Sequence, residues 1–149
     1  MIQRIQSIFL LLAAVAGFGQ FAAPYLSTES GNPAASLPAL NDLVLNPMDN
    51  PGLLGLCALG GIISLAAIFL FRNRPLQARL SGGAAIASLL LTILCAFVVF
   101  QITQQMPEGG KTQYGAGLGL PVLGFIFNWL AVRFIRKDEN LVRSMDRLR

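Results

Sequence analysis

The segment "SLLLTILCAFVVF", Ser88–Phe100, contains no charged residue and no alternation of apolar and polar positions. It belongs to a longer stretch without Asp, Glu, Lys or Arg, Leu80–Pro107. A helix needs about 20 apolar residues to cross a hydrocarbon core of about 30 Å, whereas strands of a membrane barrel alternate over about 10 residues. The segment therefore predicts a membrane-spanning helix.

Three further stretches also lack charged residues, namely Ile5–Thr28, Asn50–Phe71 and Thr112–Val132. Only 12% of the chain is charged, and its mean hydropathy is +0.63, whereas a soluble domain carries about 25% charged residues. These features predict an all-α, polytopic membrane protein: a single domain with a bundle of four transmembrane helices. We place the spans at about 5–23, 52–71, 81–102 and 114–135, with an outer loop at 24–51 and a helical C-terminal tail at 136–149.

The first span resembles a signal peptide in having one arginine, an apolar run and a small-residue motif at Ala14–Ala16. The apolar run continues beyond that motif to Pro24. We therefore expect a retained first helix and no cleavage.

The distribution of basic residues predicts the orientation in the membrane. Lys111 is the exception among eleven Lys and Arg residues; the other ten are Arg4, a loop group (Arg72, Arg74, Arg79) and those from Arg133 onward. Loops rich in Lys and Arg remain in the cytoplasm. Both termini and the Arg72–Arg79 loop are thus expected to be cytoplasmic, and the loops around Asp42 and Lys111 to be outside.

The net charge of +4 does not require a nucleic-acid partner. Basic residues near a membrane surface gain about 1 kcal/mol each from anionic headgroups. We expect the lipid bilayer to be the partner of these residues, and no nucleic acid to bind.

The ionisable residues indicate little catalytic chemistry. The chain has no histidine, and no acid or base lies in the predicted hydrocarbon spans before Arg133. This disfavours histidine-based acid–base catalysis, histidine-ligated metals and membrane proton relays. We expect a non-enzymatic protein with no catalytic residue, cofactor or metal.

Cys57 and Cys95 are the only cysteines. Counted from the span ends, both should lie about 10 Å below the outer surface, so they form a possible thiol pair. A Cys-x-x-Cys motif is absent, and a buried cysteine usually acts as a small apolar side chain. We expect both to be dispensable and retain a membrane thiol-redox protein as an alternative.

Small residues at helical spacing predict close packing of the spans. Gly115 and Gly119 form a Gly-x-x-x-Gly, and Ala13 with Gly17 has the same spacing. Pro121 predicts a kink in the outer half of the fourth span.

The outer loop contains "LPALNDLVL", Leu37–Leu45, in which Leu37, Leu40, Leu43 and Val44 have helical spacing. This pattern predicts a short interfacial helix.

The tail carries an apolar stripe among charges. We expect it to lie against lipid headgroups or a membrane or cytoplasmic protein partner, and three acids among the bases favour a protein. The stripe is Leu141, Val142, Met145 and Leu148, and the charged and polar contact residues are Arg136, Lys137, Asp138, Glu139, Arg143, Asp146, Arg147 and Arg149.

Three segments give the chain a family resemblance: "MIQRIQS" at Met1–Ser7, "FRNRPLQARL" at Phe71–Leu80 and "IRKDENLVRSMDRLR" at Ile135–Arg149. Together they resemble an uncharacterised family of short four-helix membrane proteins from Bacteroidota, a domain of unknown function. The resemblance covers the whole length and implies a location in the bacterial inner membrane. It implies no activity and no site residue.

Our leading hypothesis is an accessory or assembly component that docks a partner through its cytoplasmic tail. A passive transporter of a neutral or lipid-like solute is the second alternative, beside the thiol-redox protein. A continuous polar cavity between the helices would favour the transporter.

Overall fold

The computed structural model of the chain describes the backbone of residues 2–146 and the side chains of residues 5–142 and 144. Within that range the chain is mostly helical. The four α-helices are α1 (Ile2–Gly19), α2 (Pro51–Phe69), α3 (Arg74–Gln104) and α4 (Leu120–Asp146).

The four helices pack in a ring in which each contacts its neighbours along the chain and α4 also packs against α1. Phe9 of α1 stacks on Phe134 of α4, with ring centroids 5.4 Å apart. α1 and α2 approach closely at Gly17, where a Cβ atom would lie 2.9 Å from the Cα of Gly61. The expected role of Gly17 in helix packing is therefore confirmed.

Within the residues that the structure describes, three segments are long and apolar enough to cross a membrane: α2, α3 and Ala116–Val142. The described part of the first apolar helix, Ile5–Gly19, is shorter. Large apolar side chains face outward along the helices, including Val15 at 61% exposure and Ile62 at 56%. An apolar exterior of this extent is typical of a surface covered by lipid or by another protein.

α1 ends at Gly19, before the expected boundary at residue 23. The chain then turns, since the backbone N–H of Phe21 bonds to the carbonyl of Phe18 and that of Ala23 to the carbonyl of Gly19. Pro24, which has no N–H to donate, follows this turn.

Residues 20–50 and 105–119 form a folded cap over one end of the helices. It contains a small antiparallel sheet in the order β2-β1-β3, with β1 at Leu26–Ser27, β2 at Val44–Leu45 and β3 at Gln113–Tyr114. Four short 3-10 helices complete the cap: Pro33–Ser36, Pro38–Leu40, Pro47–Asp49 and Ala116–Gly119.

The prediction of an interfacial helix in Leu37–Leu45 is wrong. Only Pro38–Leu40 is helical, as a 3-10 turn, and the chain reverses at Leu43 with a φ of 69°. The Leu43 carbonyl then accepts a hydrogen bond from the Thr28 N–H at 2.8 Å. Leu40 and Leu45 are buried in the cap core, so these leucines face protein and the segment has no continuous apolar face for lipid.

The prediction that Gly115 packs one membrane helix against another through a Gly-x-x-x-Gly motif is also wrong. Gly115 precedes the helix and donates its N–H to the Tyr25 carbonyl at 2.9 Å. A Cβ on Gly115 would lie 2.1 Å from the Pro24 carbonyl oxygen, and one on Gly117 would lie 2.3 Å from that of Ala23. These glycines allow two backbone segments of the cap to touch.

Pro121 lies in the first turn of α4, which begins at Leu120. The backbone N–H groups of the first helical turn have no carbonyl partner inside the helix. Proline, which lacks an N–H, is therefore tolerated there without a kink. The kink expected at Pro121 therefore has no basis in the fold.

α4 continues without interruption from Leu120 to Asp146, over 27 residues. At 1.5 Å per residue its length is about 40 Å, which exceeds a hydrocarbon core of about 30 Å. The described part of the tail, residues 136–146, is thus the end of the last long helix, and it lies at the end of the molecule opposite the cap. We call this end, with Arg72, Arg74 and Arg79, the basic end.

Candidate docking surface and the polar groups between the helices

An ion pair holds the tail at the basic end. Arg74, the first residue of α3, places its Nη1 atom 3.3 Å from Oδ2 of Asp138 in α4. The two side chains are 31% and 15% exposed. Asn73 caps α3 by accepting a hydrogen bond from the Leu76 N–H, which fixes the position of Arg74 in the first turn. Asp138, predicted as a contact residue for a partner, is thus engaged within the chain.

Two buried glutamines support the same region. Gln77 donates its side-chain amide to the carbonyl of Ala67 in α2 at 2.9 Å, and Gln6 donates to the carbonyl of Phe134 in α4 at 3.2 Å. Each amide has only 1–2% exposure. These bonds connect α3 to α2 and α1 to α4 just before the tail begins.

The remaining predicted contact residues with described side chains divide into two groups. Arg136, Lys137 and Leu141 are exposed, Leu141 at 45%, whereas Glu139 and Val142 are half-buried. The other predicted contacts lie outside the described side chains: Arg143, Met145, Asp146, Arg147, Leu148 and Arg149. The described contact residues of the tail therefore include one exposed leucine and two exposed cations.

Two arginines at this end lie over aromatic rings. The guanidinium of Arg133 is 5.8 Å from the ring centre of Trp129, and that of Arg72 is 5.9 Å from Phe71. Trp129 is 50% exposed. Aromatic rings combined with basic residues are typical of the membrane–water boundary. Arg79, the third loop arginine, is exposed.

Polar side chains between the helices bond to each other and to the backbone. Ser64 Oγ lies 2.7 Å from the Gly60 carbonyl oxygen and 3.1 Å from Oδ1 of Asn128, while the Asn128 amide donates to the Gly124 carbonyl at 3.0 Å. Among the described residues, no buried side-chain nitrogen or oxygen lacks a hydrogen-bond partner. These groups join the helices and leave no unpaired donor or acceptor facing inward.

Cys57 and Cys95 are both free thiols in the buried cluster beneath the cap. Cys57 Sγ donates to the Gly17 carbonyl at 3.0 Å. Both cysteines are almost fully buried, so solvent has no direct access to either sulfur atom. The structure brings the predicted thiols into one cluster without joining them.

Tyr25 anchors the cap in this same cluster and was missed in the sequence. Its phenol donates to Oε1 of Gln20 at 2.7 Å, and Gln20 donates to the Ala16 carbonyl at 3.2 Å. Burial raises the pKa of the Tyr25 phenol well above its ordinary value, since the phenolate would lose its hydration. The only sequence signal was a polar glutamine within an apolar run, which does not indicate a distant partner.

Comparison with known proteins gives a family and no function. No curated protein and no solved structure matches the chain. Among the described residues, no cluster of three or more Cys, Asp or Glu side chains could hold a metal ion. The sequence model described as "Domain of unknown function (DUF4293)" matches residues 2–148, and the chain therefore belongs to that family.

Proposed function

We propose that the protein is an accessory or assembly component of a bacterial inner membrane, of the type found in Bacteroidota, and that it has no enzymatic activity. It docks a protein partner through the cytoplasmic tail, residues 136–149. The observation that carries the proposal is the continuation of α4 from its apolar part to Asp146 without a break. The described part of the tail, residues 136–146, is therefore a continuation of α4 and not a separate linker.

The ion pair between Arg74 and Asp138 supports this role. A tail that is already ordered loses less conformational entropy when it binds a partner. Leu141 is 45% exposed, and the exposed Lys137 lies one helical turn before it, so Leu141 offers an apolar contact with a cation at its edge. The proposed partner surface is accordingly apolar at its centre and acidic at its edge.

The proposed topology has both termini and the Arg72–Arg79 loop in the cytoplasm and the cap outside. Its basis is the charge distribution, because Lys111 is the only basic residue in the cap. The proposed location at the cytoplasmic face gives the tail access to cytoplasmic and membrane-bound partners.

Transport of a neutral solute and thiol-redox activity are the alternatives. Ser64 and Asn128 bond to each other and to backbone carbonyls, so a solute would have to displace these bonds. Cys57 donates to a backbone carbonyl inside the buried cluster. Both observations favour packing roles for these side chains.

The docking proposal is tested by comparing two leucines at the basic end. Leu141→Lys places a charge in the proposed contact, whereas Leu76→Lys makes the same change on α3, where the leucine is 38% exposed. After cross-linking in intact cells, we expect Leu141→Lys to lose a discrete protein adduct that Leu76→Lys retains. Equal recovery of that adduct from both variants would contradict docking through the tail.

A further inference from the structure

A groove of about 190 Å³ lies where α3 meets the cap. Its floor is apolar, formed by Val98 and Ile102 of α3 and by Leu45 of β2. Leu45 and Ile102 belong to the buried core of the cap and are 1% and 7% exposed. The floor is therefore a preformed surface held by the fold.

The rim of the groove is polar and carries one negative charge. Its carboxylate is Asp49, and its side-chain amides are Asn50, Gln101 and Gln105. No Lys or Arg lines the groove. The rim thus combines one acceptor for a cation with several amide donors.

Local hydrogen bonds fix two of these rim residues. Asp49 Oδ2 accepts from the Asn46 N–H in a capping box, and Asn50 Oδ1 accepts from the N–H groups of Gly52 and Leu53 at the start of α2. The second Asp49 oxygen and the Asn50 amide nitrogen retain their capacity to bind another group. The rim is consequently ordered before any ligand arrives.

The groove lies at the boundary between the apolar and polar parts of α3. Phe97 and Phe100 are 54% and 60% exposed on the apolar side, whereas the polar residues from Gln101 to Gln105 follow at the helix end. In a membrane-inserted protein, this level corresponds to the headgroup region of the leaflet on the cap side. A ligand here would contact acyl chains at one end and water at the other.

We propose that the groove binds the headgroup of an amine-bearing phospholipid, of the phosphatidylethanolamine type. The ammonium donates to Asp49, and the phosphate accepts from the side-chain amides of the rim. The glycerol end and first methylenes lie on the apolar floor. This inference rests on the membrane insertion in the proposed function, but not on the tail or its partner.

The charge of the rim selects the lipid class. An anionic headgroup without an amine would place its phosphate near Asp49 with no cation to compensate. A choline headgroup carries the same positive charge as ethanolamine but has no N–H to donate, so it loses the charge-assisted hydrogen bond. The three headgroups should therefore bind in the order ethanolamine, choline, glycerol.

The test uses the full-length protein in mild detergent, with native mass spectrometry of bound lipid. The probes are phosphatidylethanolamine, phosphatidylcholine and phosphatidylglycerol with identical acyl chains. We expect ethanolamine lipid to be retained about tenfold more than choline lipid, which corresponds to roughly 1.4 kcal/mol. Asp49→Asn should remove this preference, whereas Glu108→Gln, which removes an exposed carboxylate elsewhere in the cap, should keep it.

Equal retention of ethanolamine and choline lipid by the unmodified protein would overturn the proposal, as would an unchanged preference in Asp49→Asn. If Asp49→Asn does not fold, the double variant Gln101→Leu and Gln105→Leu decides, because both side chains are exposed and lie outside the capping box. It should lose most of the bound ethanolamine lipid. Leu141→Lys should leave lipid retention unchanged, so failure of this proposal is distinguishable from failure of tail docking.

Discussion

Arg74 and Asp138 join the start of α3 to the tail of α4 through an ion pair of 3.3 Å. The pair lies beyond the apolar part of both helices, at the end of the molecule where the basic residues gather. It gives the tail a fixed direction relative to the rest of the helices. That fixed direction is the structural basis for treating the tail as a docking element.

Breaking this pair should loosen the tail with little effect on global stability. Asp138→Asn should lower the free energy of unfolding by only about 0.2–1 kcal/mol, the range for partly exposed ion pairs. Hydrogen exchange of backbone amides after residue 138 should accelerate, because the last turns lose an anchor. The measurement is hydrogen–deuterium exchange in detergent.

The charge-swapped double variant Arg74→Asp with Asp138→Arg is the matched control. It restores an ion pair of opposite polarity, and we expect it to recover most of the amide protection. If the swap exchanges as fast as Asp138→Asn, the pair does not order the tail.

Two glycines of the cap, four residues apart, should differ sharply in their tolerance of substitution by alanine. Gly115→Ala places a Cβ 2.1 Å from the Pro24 carbonyl oxygen, whereas Gly119 has no atom within 4 Å of a Cβ. Overpacking of this kind costs about 1–3 kcal/mol. Thermal unfolding in detergent should show a clear loss for Gly115→Ala and almost none for Gly119→Ala. Similar losses in the two variants would mean that the cap does not pack at Pro24 as described.

The helices were predictable because composition determines them. α2 runs from Pro51 to Phe69, close to the expected 52–71, since a charge-free apolar run has few other stable conformations in a membrane. α3 runs from Arg74 to Gln104 and contains the whole of the expected span 81–102. The helix is longer than the apolar run because it starts directly after the capping residue Asn73.

The cap was not predictable by the same reasoning. Its strands have two residues each, which is too short for an alternating pattern. Their pairing joins Leu26 to Tyr114, far apart along the chain. Likewise, the sequence shows that Arg74 and Asp138 are charged, but it carries no sign that these two side chains meet.

Tyr25 should contribute to stability through its phenol. Tyr25→Phe leaves the Gln20 amide oxygen buried without its 2.7 Å donor, and an unpaired buried acceptor costs about 1–3 kcal/mol. Tyr114→Phe is the control, because Tyr114 is 70% exposed and its change should stay within about 0.5 kcal/mol. Chemical unfolding in detergent compares the two. Equal stability of both variants would remove Tyr25 as an anchor of the cap.

The same residue predicts a dependence on alkaline pH. The pKa of Tyr25 is raised in the folded protein, so folding favours the neutral phenol. The contribution of the Tyr25 phenol to the free energy of unfolding is complete below about pH 10, the ordinary pKa of tyrosine. It decreases as the pH rises further. Tyr25→Phe should therefore lose less stability than the unmodified protein above that pH. If the two proteins lose stability equally as the pH rises, the Tyr25 phenol is not buried in the folded protein.

The proposed topology predicts which loops face outward. Single cysteines at Asp42, Lys111 and Arg79, introduced after Cys57 and Cys95 are replaced by alanine, can be labelled with a membrane-impermeant reagent. With the outer membrane permeabilised, positions 42 and 111 should react and position 79 should not. Labelling at position 79 in cells with an intact inner membrane would reverse the orientation.

The most direct test of tail docking is a photo-cross-linking residue placed at Leu141 in living cells. The control position is Ile62 of α2, which is 56% exposed on the apolar exterior. Docking of a protein by the tail predicts a protein adduct of discrete mass from position 141, and lipid adducts alone from position 62. Lipid adducts alone from position 141 would show that the tail only lies on the membrane, and that no protein docks there.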